Sequence, residues 1–124
     1  SNIVALDVLR AIRREGSLPV LQAHATQLLA QTQAAPAFKA ALRSALERAA
    51  AFAQKAVDAD AAGERLARQA ASGLYHSFTA IAMAWEASHT HSRERMRWAK
   101  LVLLHRVLPH DPLQDNGIPA DWVQ

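Results

Sequence analysis

PAFKAALRSALERAAAFAQKAV, residues 36–57, decides the fold class. At 3.6 residues per turn, Phe38, Leu42, Ala45, Leu46, Ala49, Phe52, Ala53, Ala56 and Val57 share one face, the i, i+3, i+4 pattern of an amphipathic helix. Lys39, Arg43, Glu47, Arg48 and Lys55 fall opposite, as a solvated face. Pro36 belongs at the first helical position, where its missing N–H costs nothing because that group has no intrahelical partner. No alternation at period two competes with this reading, so the segment is a helix and not a strand.

The same rhythm extends in both directions. Upstream, Ile3, Val4, Leu6, Val8, Leu9 and Ile12 predict a helix over 2–15, ended by Gly16, a residue that tolerates the left-handed backbone found just past helix ends. Ser17 is expected to cap the next helix, with Pro19 in its first turn and Leu21, Ala25, Leu28 and Leu29 on its apolar face, ending near Gln31. Residues 32–35 read as a linker. Downstream, Asp58 and Asp60 interrupt the pattern and supply a cap for a long helix over 61–87, about 40 Å at 1.5 Å per residue. Its expected seam is Leu66, Ala70, Leu74, Phe78, Ile81 and Trp85, flanked by small residues that let a neighbour come close. SHTHS, residues 88–92, reads as a polar break, and a last helix follows over 92–108. Met96, Ala99, Leu103 and Val107 line one side of it. Trp98, Leu101, Val102 and Leu104 extend its apolar surface, so it is either widely buried or faces a partner.

Composition agrees with helices throughout. The 124 residues are 51% apolar, much of that share being Ala, with only 4 Gly and 5 Pro. Ala is the best helix former and a poor strand former. The expectation is an all-α domain, an antiparallel up-and-down bundle of about five helices over 1–108. An irregular tail over 109–124 either docks or stays loose. No Cys is present, which removes thiolate chemistry and disulfides and favours the cytoplasm. No apolar run approaches the roughly 18 residues of a membrane span, and no signal peptide is evident.

Candidate chemistry is sparse. His89 and His91 form an H-x-H pair, the best metal candidate, but they lie in an expected loop without Cys, so no metal site is assigned. His24 and His76 fall within helices and read as surface or satisfied residues. Asp7, Arg10 and Arg14 make an ion cluster of structural character. No Gly-rich phosphate loop and no nucleophile–base arrangement is present. The net charge is +3 and the pI about 10.0, which permits an anionic partner without requiring one. Arg93, Arg97 and Lys100 fall at i, i+4 and i+7 on the last helix, with Arg106 at the flank and Arg95 on another side. Such a stripe suits DNA phosphates, and three contacts would give a salt slope of about −2.7. A solvent face would look the same.

Asn2-Ile3-Val4-Ala5-Leu6-Asp7-Val8-Leu9-Arg10 closely resembles a segment of the acyl-CoA dehydrogenases, in their AidB-like, DNA-alkylation-response branch. There a W/Y-E-G-T/S-x-N/Q-I motif leads into L-D-V-L-R at the start of a long helix of the C-terminal α-domain. Ser1 matches the x, Asn2 the N/Q and Ile3 the Ile. The close match covers about ten residues; Ala71-Ser72-Gly73-Leu74-Tyr75 and the Arg-rich last helix resemble the family's tail region more loosely. The resemblance implies that the natural protein continues upstream, that the parent holds FAD and acts on an acyl-CoA, and that the catalytic Glu of W/Y-E-G precedes Ser1. It implies a flavin contact for Asn2, with no FAD expected on this fragment alone. Implied partners are the missing N-terminal domains and further copies in a homo-oligomer. Two other readings stand beside it: a DNA-binding module of the same flavoprotein, and a purely structural oligomerisation bundle.

Overall fold

A computed structural model describes residues 16–58, 64–109, 113 and 117–123, and the structural statements below concern these residues. The fold is all-helical, with no strand among the described residues. Four α-helices follow in order: α1 Ser17–Ala30, α2 Pro36–Asp58, α3 Glu64–Thr90 and α4 Arg93–Val102. The last passes directly into a π-helical turn, Leu103–Val107, and a short 3₁₀ turn spans Ala120–Trp122. No helix among the described residues is long and apolar enough to cross a membrane. The expected helix over 2–15 lies outside the described residues, as do Asn2, the Asp7–Arg10–Arg14 cluster and Asp60.

Helix boundaries follow from backbone chemistry. Gly16 is left-handed, with φ 60°, and itself occupies the N-cap position of α1. Ser17 is therefore the first helical residue, and no side chain caps α1, contrary to the expected role of Ser17. Leu18, Ala25 and Leu29 are the residues α1 buries, whereas Leu21, expected on that face, is exposed. Pro36 opens α2, whose first turn closes where the Lys39 N–H donates to the Ala35 carbonyl at 3.0 Å. At the end of the π-helical turn Leu108 is extended, at φ −76° and ψ 143°. Pro109 imposes this, because its ring disfavours helical geometry in the residue before it.

The run at 88–92 departs from expectation. It is helical through Thr90, three residues beyond the expected end at Ala87. The hydroxyl of Thr90 donates to the Glu86 carbonyl at 2.9 Å, and His89 Nδ1 lies 2.9 Å from the Trp85 carbonyl. These polar side chains thus bond to the preceding turn instead of breaking the helix. His91 then turns the chain at φ 53°. The Ser92 N–H reaches back to the Ala87 carbonyl at 3.0 Å, which closes a Schellman-type end. Ser92 also caps α4, its hydroxyl accepting from the Arg95 N–H at 3.1 Å.

Packing between α2 and α3 rests on small side chains. Ala67, Ala70, Ser77, Ala80, Ile81, Ala84 and Ala87 are buried along α3. Of the expected seam only Ala70 and Ile81 are among them; Leu66, Leu74, Phe78 and Trp85 are half-buried at its sides. A Cβ at Gly73 would lie 3.7 Å from that of Ala49, so the two backbones approach closely there. The helices run in opposite directions, since Ala49 meets Gly73 while Gln33, just before α2, donates its N–H to the Ser88 hydroxyl near the end of α3 at 2.8 Å. Trp85 Nε1 donates to Gln31 Oε1 at 3.1 Å, so the 31–35 linker is tied down at two points.

Two apolar clusters result. The larger joins Leu29, Phe38, Leu42, Leu46, Ile81 and Leu103 with their alanines, and it includes Trp122 from the tail. The tail over 118–122 therefore docks: Ile118 packs on this cluster, and the Trp122 ring lies 5.1 Å from that of Phe38. The smaller cluster, at the other end of α2 and α3, contains Leu18, Ala50, Ala53, Ala56, Ala67 and Ala70.

Candidate functional site

α4 packs through Ala99 and the following Leu103, which are fully buried, and turns most of its cations outward. Arg93 and Arg97 are exposed. Lys100, third in the expected stripe, is only half-exposed, with its ammonium 5.7 Å from the centre of the Phe38 ring. Burial there holds the Lys100 ammonium below its usual pKa range. Its charge lies over an aromatic face, while its aliphatic stem covers apolar surface. Arg95 pairs with Glu86 of α3, so its charge is largely spoken for.

Arg106 belongs to a different place. The π-helical turn, marked by the Leu108 N–H donating to the Leu103 carbonyl at 2.9 Å, adds a residue to the helical circuit and breaks the 100° step that relates Arg106 to Lys100. Arg106 instead borders a cleft of about 450 Å³ between α2, α3 and the π-turn. α2 contributes Ala45, Arg48, Ala49 and Phe52 to the cleft, and α3 contributes Gln69, Ser72 and Gly73. Val107 and Pro109 close the end beside Arg106. Among the described residues the lining holds two guanidiniums and no carboxylate.

His76, one turn along α3 from Ser72, reports on this charge. Its pKa is lowered, first by burial and second by the Arg106 guanidinium. The ring of Tyr75 meets that of His76 edge-on at 5.1 Å. Two other histidines have ring contacts: His24 stacks on Phe78 at 5.8 Å, and His89 lies against Trp85 at 4.4 Å between centroids. Among the described residues no three His, Cys, Asp or Glu side chains come together as a metal-ligand group. Ser77 Oγ is buried without a hydrogen-bond partner among the described residues.

The structure thus divides the expected cationic set. Arg93 and Arg97 stand on the outer face of α4, Lys100 covers Phe38, and Arg106 joins Arg48 at a cleft. Sequence reasoning did not pair Arg48 with Arg106. The available signal was the Arg48–Phe52 pair, four residues apart on one helical side, but its partner element is fixed only by tertiary packing. Chemically the surface is equipped to bind anions and apolar groups. Comparison with protein-family models, with curated proteins and with solved structures gives no match.

Proposed function

We propose that this chain is the C-terminal helical domain of an AidB-like, FAD-dependent acyl-CoA dehydrogenase-like protein. On this reading it packs against the flavin-bearing part of its own chain and joins subunits, and the catalytic carboxylate is supplied from upstream. The helix over 2–15, beginning at Asn2 beside the flavin, completes an up-and-down bundle of five, and the protein works in the cytoplasm. The segment Asn2–Arg10 supports the family reading. The observation that carries the assembly role is the outer face of α4, where Trp98 is 55% exposed and Leu101 is only half-buried. An uncovered Trp beside Arg97 has the composition of an interface centre.

The test is to express the chain together with its upstream reading frame. The expected product carries flavin absorbance and sediments as an oligomer, and Trp98→Ser shifts it toward monomer while helicity is kept. A colourless monomer from the extended chain would overturn the reading.

A second reading is favoured by one observation: Arg93 and Arg97 are exposed and make no ion pair among the described residues, whereas Arg95 between them is neutralised by Glu86. The same face then contacts DNA phosphates, as in a DNA-binding module of the parent flavoprotein.

A further inference from the structure

Arg48 reaches the cleft from α2 and Arg106 from the π-turn, and neither makes an ion pair among the described residues. Both guanidiniums are exposed at the rim of one cavity, and no carboxylate among the described lining residues offsets their charge. Each presents a planar fork of donors suited to a phosphate or carboxylate. Gln69 and Ser72 add uncharged hydrogen-bonding groups on the α3 side. Beneath these polar groups the floor is apolar, made of Phe52, Ala49 and Val107, and Gly73 keeps it open because no side chain projects there. The volume of about 450 Å³ lies within the range of small-molecule sites.

We propose that this cleft binds a small amphipathic anion, with its oxyanion head between Arg48 and Arg106 and a short apolar body on Phe52, Ala49 and Val107. The site is separate from the outer face of α4 and does not rest on the family reading. His76 provides an internal reporter. The Arg106 charge helps hold its pKa down, so an anion that neutralises Arg106 raises the His76 midpoint toward its ordinary value.

The experiment titrates octyl phosphate into the intact 124-residue chain while the backbone amides and the His76 ring are followed by NMR. Octanoate, inorganic phosphate and a short DNA duplex serve as separate arms. Octyl phosphate should saturate, shift the amides of Phe52, Gly73 and Arg106, and raise the His76 midpoint. Octanoate binding with the same shifts assigns the head-group preference to any oxyanion. Inorganic phosphate should bind at least about tenfold more weakly, because it leaves the apolar floor uncovered. Arg48→Gln and Arg106→Gln should each weaken octyl phosphate by about tenfold or more. Arg43→Gln, an exposed change elsewhere on α2, should leave its affinity unaltered. Failure to saturate, equal affinity for inorganic phosphate, or indifference to both cleft variants would overturn the proposal. Displacement of the probe by duplex DNA would also overturn it, and would assign the cleft to a nucleic-acid face.

Discussion

His91 is a residue held in a conformation its side chain does not favour. At φ 53° it sits in left-handed space, which costs a residue with a Cβ about 1–2 kcal/mol. Its side chain is exposed, so its replacement forfeits no packing. His91→Gly is expected to stabilise the protein by about 1 kcal/mol, the relief exceeding the extra backbone entropy of glycine; urea denaturation of the two proteins measures it. His76 has a pH consequence. Its pKa in the folded chain lies below 6.5, owing to burial and then to Arg106, so the unfolded chain takes up the proton more readily. Its contribution to stability is complete above 6.5 and is lost as the pH falls through that value toward the folded pKa. The melting temperature should therefore drop on acidification through this window, and the drop should be smaller in His76→Gln. Melting curves that fall equally in the two proteins would show that His76 is not the group responsible.

For single elements, α4 makes the most direct prediction. With Lys100 over Phe38 and Arg95 on Glu86, two cations, Arg93 and Arg97, remain for phosphates on its outer face. If that face binds duplex DNA, the slope of log affinity against log salt is about −1.8, shallower than three contacts would give. Exchanging Arg93 and Arg97 for Gln should flatten the slope and weaken all sequences alike, while Arg95→Gln should have a smaller effect. A salt titration in which the double variant matches the parent would assign α4 to protein contacts alone. Much of the helical order was legible in the sequence, because Pro36 and Gly16 impose their conformations locally. The buried line of α3 was not legible. Ranking residues by hydrophobicity selects Leu66, Leu74, Phe78 and Trp85, but close approach at Ala49 and Gly73 gives the contact to alanines and leaves the larger side chains at the edges. The 88–90 turn was misread for a different reason: its polar groups bond to carbonyls within their own helix. The Arg48–Arg106 cleft was hidden by the π-turn, which changes the angular step between residues and so defeats a helical projection.

In the molecule as a whole the two ends of the α2–α3 pair are unequal. One end buries Phe38, Leu42, Ile81, Leu103 and Trp122. At the other, five of the six buried residues are alanine, each contributing far less apolar area than Leu or Phe. Amide exchange should therefore be fastest at the 50–58 and 64–70 ends of these helices and slowest around Phe38 and Ile81. Uniform protection along both helices would contradict this gradient. The alanine contact line between α2 and α3 also has a mechanical consequence. Helices lock in register when large side chains of one fill the grooves of the other. Where the contact is made by methyl groups little packing is lost on separation, so the alanine-rich ends of α2 and α3 can splay while Phe38, Leu42 and Ile81 hold the opposite ends together. The pair is built like tongs, with a fixed pivot and a tip that can part.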